Sequence, residues 1–164
     1  MTWFDYAVLA VLALSVLIGI WRGLVREAFS LVGWVTACVA ALAFAPEAGR
    51  LLPASFATPL VRGVIAGAVI FLAVLIVSGI AGLLVAKALR LAGLGFADRT
   101  LGGVFGFARG ALISLIFVLA AGLTSLPREP FWREATLSGP LETAVVALKP
   151  YLPAPLAARV RYDR

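Results

Sequence analysis

Residues 63–86 read GVIAGAVIFLAVLIVSGIAGLLVA, and this stretch of 24 residues without a charge decides the fold. A helix needs about 20 consecutive apolar residues to cross the hydrocarbon core of a bilayer. The stretch exceeds that length and is closed by Arg62 on one side and Lys87 on the other. It therefore predicts a transmembrane helix, and the rest of the chain can be read outward from it.

Three further apolar runs lie on either side of this stretch. Charged residues bound runs at 6–21, 28–46 and 100–127, and only the last run is interrupted, by Arg109. The predicted membrane spans are accordingly residues 4–22, 28–46, 63–86 and 101–126. The first run is short, but interfacial aromatic residues flank it. They are Trp3, Phe4, Tyr6 and Trp21. The alternative has three spans, with the first segment lying on the membrane surface.

The composition supports a membrane protein and argues against an enzyme. Of the 164 residues, 63% are hydrophobic and 13% are charged, against roughly 45–50% and about 25% in soluble domains. The chain has no histidine, and Cys38 is its one cysteine. We therefore expect no catalytic set, no metal site and no cofactor. The net charge of +6 is dispersed at helix ends, which suits lipid head groups and not nucleic acid.

The basic residues near the predicted spans set the expected orientation. Arg22 and Arg26 follow the first span, which favours an outside N-terminus and a cytoplasmic first loop. On that topology five basic residues lie inside and four outside, and the C-terminus is also outside. Those inside are Arg22, Arg26, Lys87, Arg90 and Arg99, and those outside are Arg50, Arg62, Arg128 and Arg133.

The predicted spans form the domain at 1–127, and residues 128–164 form a short extramembrane tail. Five prolines after Pro127 exclude one long helix in the tail. Residues 140–149 predict a short amphipathic stretch, and Phe131 with Trp132 predicts an interfacial anchor. Between the spans we expect a tight turn at 22–27 and an exposed loop at 46–62. Asp98 is expected to cap its own helix. The fold class is all-α, a four-transmembrane-helix bundle with an amphipathic and irregular C-terminal tail.

Small residues recur at intervals of four along every predicted span, which allows close approach between helices. The rows are Ser15, Gly19 and Gly23; Gly33, Ala37, Ala41 and Ala45; Gly63 and Gly67; Ser78, Gly82 and Ala86; Gly102, Gly106 and Gly110. The favoured interpretation is packing inside the bundle. The alternative is that one row forms a homo-oligomer interface.

The pattern G-x-x-R-G occurs twice, at residues 19–23 and 106–110. Arg109, in the second copy, lies near mid-membrane if its helix starts near Thr100, and nearer the surface if it starts near Phe105. Arginine at depth costs at least ~2.5–3.5 kcal/mol unless it is paired or hydrated. Glu27 and Asp98 are the candidate counter-ions. The favoured role is a buried ion pair that fixes helix register, and the alternative is the polar lining of a permeation path.

These residues resemble the bacterial CvpA family, the colicin V production proteins. The resemblance rests on the opening at residues 3–6, on the first-loop motif at 19–27 and on the run at 98–110. It extends into residues 124–127 and 130–132. The residues expected to form the structural or functional motif are Asp5, Gly19, Arg22, Gly23, Glu27, Asp98, Arg99, Gly102, Phe105, Gly106, Arg109 and Gly110. Asp5 is expected to act as a helix cap at the interface.

The resemblance implies a multi-pass protein of the bacterial inner membrane that supports production or export of a peptide toxin, or a related envelope function. Some members of that family carry a fused periplasmic serine protease domain, and this sequence does not contain one. Two alternatives stay open. One is a small homo-oligomeric channel or transporter subunit with Arg109 in its path, and the other is a membrane anchor that recruits a partner protein. The expected partners are the lipid bilayer, a second copy of the chain and a membrane or secretion protein.

Overall fold

A computed structural model of the chain describes residues 1–53, 58–151 and Tyr162. It contains six α-helices in these segments and no strand, so the predicted all-α class is confirmed. The helices are α1 (Trp3–Arg22), α2 (Leu24–Arg50), α3 (Pro59–Leu91), α4 (Gly95–Ala121), α5 (Pro130–Arg133) and α6 (Ser138–Leu148). Two short 3-10 turns, Leu126–Arg128 and Lys149–Tyr151, complete the described tail.

The first four helices are long and apolar enough to cross a membrane. Even the shortest, α1, has 20 residues and extends about 30 Å, the thickness of a bilayer core. The structure therefore favours four spans over the alternative with three. The chain is an all-α membrane protein with four candidate spanning helices.

The helices do not have the same ends as the predicted membrane spans, because charged residues that bound a span can lie inside a helix. Helix α2 begins at Leu24, not at residue 28, and leaves Gly23 as the one non-helical residue after α1. It also continues through Pro46 to Arg50, so the predicted loop at 46–62 is too long. A proline near a helix end removes one backbone hydrogen bond without ending the helix. Contact of Gly49 with the backbone of Gly63 holds this last turn in place.

Helices α3 and α4 also begin before the predicted spans begin, and α4 ends before its predicted span does. Thr58 caps α3 by accepting a hydrogen bond from the Val61 amide, and Pro59 occupies the first helical position. Helix α4 starts at Gly95 and ends at Ala121, five residues before the predicted end at 126. At that end the Thr124 hydroxyl donates to the Ala121 carbonyl. A side chain thus satisfies one of the last carbonyls of the helix, which have no hydrogen-bond partner within the helix.

The chain divides into two compact units, residues 21–102 and residues 1–20 with 103–164. In the first unit α2 and α3 pack antiparallel through the predicted small-residue rows. A Cβ on Gly33 would lie 2.7 Å from the Cβ of Ser78, and one on Gly82 would lie 2.8 Å from the Cβ of Phe29. These contacts confirm the packing interpretation for the rows of α2 and α3.

The second unit contains most of α1, most of α4 and the described tail. Its core is formed by Phe4, Val8, Val118, Ala121, Trp132, Ala135 and Val145. The prediction of an interfacial anchor is wrong for Trp132, which is 1% exposed. Its indole N–H donates to the Glu142 carboxylate at 2.6 Å, because a buried indole needs a partner. The tail thus packs with α1 and α4, and its position outside the membrane stays a prediction.

Candidate functional site

Four of the predicted motif residues meet where α1 passes into α2, and we call them the turn cluster: Arg22, Gly23, Glu27 and Asp98. Oδ1 of Asp98 accepts a hydrogen bond from the Val25 amide at 2.9 Å. The predicted role of Asp98 is therefore corrected: it caps the start of α2, not the start of its own helix. The N-terminal amides of a helix are unpaired and carry partial positive charge, so a carboxylate stabilises them.

Gly23 is required by this arrangement for two independent reasons. Its φ is +82°, in the left-handed region that side chains with a Cβ rarely adopt. A Cβ at this position would also overlap Oδ2 of Asp98. Glycine has no side chain to cap α2 itself, and the space that it leaves admits the carboxylate of Asp98.

Arg22 and Glu27 form an ion pair across the same turn, with 3.2 Å between Nη1 and Oε1. Glu27 is only 4% exposed, so its charge is largely removed from water. Because an ion pair of this kind is broken at high cost when one partner is removed, the pair fixes the geometry of the turn. The sequence suggested Glu27 as a candidate counter-ion for Arg109, and that ion pair stays a prediction.

A second group of residues, which we call the serine cluster, lies where α1 crosses α4: Ser15, Gly106, Arg109 and Gly110. The buried Ser15 hydroxyl donates to the Gly106 carbonyl at 2.6 Å. Arg109 donates from Nε to the same hydroxyl at 3.1 Å and from Nη2 to the Ser15 carbonyl at 3.3 Å. The arginine side chain thus holds a turn of α1 through both its hydroxyl and its backbone.

The glycines of the serine cluster make this contact possible. A Cβ on Gly106 would overlap the Ser15 carbonyl oxygen, and one on Gly110 would lie 3.1 Å from the Ser15 Cβ. The helices therefore approach at backbone distance, as small residues allow in membrane proteins. The packing interpretation of the α4 glycine row is confirmed at these two positions.

The two copies of G-x-x-R-G have different structures. In the first copy the last glycine, Gly23, breaks the backbone between two helices. In the second copy Gly110 lies inside the continuous helix α4, and Arg109 lies 14 residues after the start of α4 at Gly95. That is about 21 Å along the axis. Because α4 also includes the charged residues Asp98 and Arg99, its start does not mark the membrane surface, and the depth of Arg109 stays a prediction.

Asp5 lies in a third environment, fully buried at the start of α1. Its carboxylate accepts a hydrogen bond from the Thr2 amide at 2.9 Å. Asp5 is the third residue of α1, so it serves as the acidic partner of a capping box and is not the N-cap residue itself. Its place at the membrane interface stays a prediction. It also accepts from the amides of Thr136 at 3.1 Å and Leu137 at 2.8 Å. One side chain thus stabilises the start of α1 and holds the segment between α5 and α6.

The remaining predicted motif residues do not join a cluster through a polar contact. Gly19 and Gly102 are buried, Phe105 is partly buried, and Arg99 is exposed. Sequence reasoning missed Ser15 as the partner of Arg109, because it considered only carboxylates as counter-ions. The available signal was the one serine in an apolar run, four residues before Gly19.

Within the described segments, no three His, Cys, Asp or Glu side chains come together as a metal site. The charged groups of the turn cluster and the serine cluster contact the Val25 amide, the Ser15 carbonyl and hydroxyl, and, in the Arg22–Glu27 pair, each other. The arrangement stabilises the start of α2 and the crossing of α1 and α4.

Comparison with known proteins gives matches along most of the chain. The family model described as "Colicin V production protein" matches residues 4–146. The chain is 38% identical over 139 residues to the colicin V production protein of Escherichia coli strain K12, covering 84% of this chain and 85% of that protein. It is 33% identical over 135 residues to the colicin V production protein homolog of Haemophilus influenzae, covering 81% and 82%. No solved structure matches the chain.

Proposed function

The chain belongs to the colicin V production protein family, and from this premise we propose that it supports the production or export of a peptide toxin, or a related envelope function, as an integral inner-membrane protein. The observation that carries the proposal is the extent of the family match. It covers residues 4–146 and so includes all four candidate spans, the turn cluster and the serine cluster.

We propose further that the protein acts without catalysis, as a membrane scaffold. The polar groups of its motif are engaged in holding the fold: Asp98 caps α2, and Arg109 binds α1 at Ser15. Groups used in this way position helices, which supports a structural role for the motif. The scaffold presents its loops and tail to a partner in the membrane or in the secretion machinery.

The decisive experiment deletes the gene in a toxin-producing strain and measures toxin activity in the culture medium. Wild-type protein is expected to restore activity, and Arg109→Gln and Glu27→Gln are compared with it singly and together. Arg50→Gln is the matched control, because Arg50 is exposed at the far end of α2. Immunoblots of the membrane fraction show whether each variant reaches wild-type abundance.

We expect the deletion to lower extracellular toxin activity and Arg50→Gln to restore it fully. A deletion strain that keeps normal toxin activity and normal tolerance of envelope stress contradicts the proposal. If both single variants restore full activity at normal abundance, Arg109 and Glu27 have no functional role.

The channel alternative makes a separate prediction. Purified protein in sealed proteoliposomes would increase the flux of an ion or small solute, and Arg109→Gln would change that flux. The scaffold proposal expects no flux above that of empty liposomes. If a stable oligomer conducts an ion or solute, the scaffold proposal is wrong and the channel alternative is correct.

A further inference from the structure

A groove of about 300 Å³ runs between α2 and α3 beside the turn cluster. We call it the α2–α3 groove. Its walls include Arg22, Arg26, Ser30, Trp34, Ser78 and Gly79. All of these residues belong to the unit formed by residues 21–102, so the groove is a property of that unit alone. It is open because Gly79 has nothing within 4 Å of the position that a Cβ would take.

The polar groups of the α2–α3 groove are available for a ligand. Arg22 is engaged by Glu27, but Arg26 forms no hydrogen bond or ion pair with any residue in the described segments. The Ser30 and Ser78 hydroxyls likewise make none with this part of the chain. A guanidinium and two hydroxyls are hydrogen-bond donors. Arg26 and Ser30 lie four residues apart on one face of α2, and together they suit an anionic group with several oxygen atoms, such as a phosphate. Ser78 packs beside Gly33, deeper in the groove.

The groove changes character along its length. Arg26 lies in the first turn of α2, and Trp34 lies eight residues further along the helix, about 12 Å deeper. At that depth the groove is walled by Trp34 and Leu75. A charged mouth that leads to an apolar interior matches a molecule with an anionic head and a hydrocarbon chain.

We propose that an anionic phospholipid binds in the α2–α3 groove, with its phosphate at Arg26 and one acyl chain along Trp34 and Leu75. The apolar interior favours a lipid over free phosphate, because phosphate would leave that part of the groove unfilled. Arg26 then serves as a lipid ligand, and its position in the first turn of α2 places it at the level of the head groups. This proposal does not depend on the role in toxin production.

Native mass spectrometry of the purified protein tests the proposal by measuring retained phosphatidylglycerol, with phosphatidylcholine as the neutral comparison and inorganic phosphate as a competitor. Arg26→Gln removes the proposed phosphate ligand. Lys87→Gln is its matched control, because it removes one charge from the end of α3 outside the groove. Gly79→Leu fills the groove, and Gly63→Leu is its control, since the Cβ position of Gly63 is also open.

We expect wild-type protein to retain phosphatidylglycerol in preference to phosphatidylcholine. Arg26→Gln should lower affinity about fivefold, the effect of one basic contact near a membrane surface, and Gly79→Leu should lower it at least as much. Lys87→Gln and Gly63→Leu should bind as wild type.

Three results would overturn the proposal. Equal losses in Arg26→Gln and Lys87→Gln would show general attraction between charges and no site. Unchanged binding in Gly79→Leu would place the lipid outside the groove. Displacement of the lipid by millimolar-range inorganic phosphate would show a free-phosphate site. Because Gly79→Leu keeps every charge, it tests the proposal even if Arg26→Gln proves too unstable to purify.

Discussion

Gly23 is the residue on which the connection between the first two helices depends. Its backbone is left-handed, with φ +82°, and its missing side chain leaves room for the Asp98 carboxylate. Gly93 has nearly the same backbone, with φ +80°, but nothing within 4 Å of its Cβ position. A substitution at Gly93 therefore introduces backbone strain alone, whereas the same substitution at Gly23 introduces both backbone strain and overlap with Asp98.

We predict that Gly23→Ala lowers the free energy of unfolding in detergent by more than Gly93→Ala does. Gly93→Ala should cost about 1–2 kcal/mol, the penalty of a left-handed residue with a Cβ. Gly23→Ala adds the displacement of Asp98 and the loss of the α2 cap, worth a further ~1 kcal/mol. Equilibrium unfolding in denaturant measures both variants, and equal losses would contradict the capping role of Asp98.

Tyr162 gives a prediction for alkaline pH. Its hydroxyl donates to the Val118 carbonyl at 2.9 Å. Burial, assisted by the negative charge of Glu142, raises the pKa of this phenol from 10.0 to about 12. A raised pKa means that the folded state prefers the neutral phenol. Its contribution to the free energy of unfolding is therefore complete below pH 10 and is lost as pH rises through about 12.

We expect the difference in free energy of unfolding between wild type and Tyr162→Phe to change over this alkaline interval and to be constant below it. Absorbance of tyrosinate, compared between the two proteins, follows the titration of Tyr162 directly. Titration at the ordinary pKa of tyrosine would show that the phenol is not held against α4.

The contact partner of Arg109 could not be predicted from the types of single residues. The cost of placing Arg109 in a membrane was evident from the sequence. Its contact with Ser15 was not, because charge complementarity draws attention to carboxylates. Between two apolar helices, a hydroxyl and a backbone carbonyl can accept the guanidinium hydrogen bonds that a carboxylate would otherwise accept.

At the scale of the elements, hydropathy predicted which segments become helices, but it did not predict where they end. The ends depend on local interactions that hydropathy does not measure: a positive φ at Gly23, a cap at Thr58 and a tolerated proline at Pro46. The small-residue rows were more informative, because spacing by four defines a helix face directly. They predicted that these helix faces pack inside the protein, as the rows of α2, α3 and α4 do, but not which helices pair.

The crossing of α1 and α4 provides a prediction for helix packing. Alanine is a better helix former than glycine by about 1 kcal/mol, so Gly79→Ala, with open space around its Cβ, should stabilise the protein or leave it unchanged. Gly106→Ala should destabilise it by about 1–3 kcal/mol, because its Cβ overlaps the Ser15 backbone. Thermal unfolding of both variants in the same detergent shows whether each substitution raises or lowers the stability of the protein. A stabilising Gly106→Ala would contradict the close approach of α1 and α4.

At the scale of the whole molecule, family and membrane class followed from the sequence, whereas orientation depends on a small excess of basic residues. The proposed topology places both termini outside. In a Cys38→Ser background, we expect a membrane-impermeant maleimide to label Thr143→Cys in intact spheroplasts. Thr100→Cys should be labelled only after the membrane is opened. Both side chains are exposed, so access depends on the membrane, and the reverse pattern would invert the topology.

The contact between Asp98 and the Val25 amide joins residues 73 positions apart in the sequence. During synthesis, α2 is made long before the carboxylate that caps it. The first turn of α2 therefore lacks this cap in the nascent chain until α3 has been made and the start of α4 has arrived. Insertion of the first two helices and completion of their connecting turn are thus separate events in time, and a nascent chain arrested before residue 98 would hold an unfinished turn.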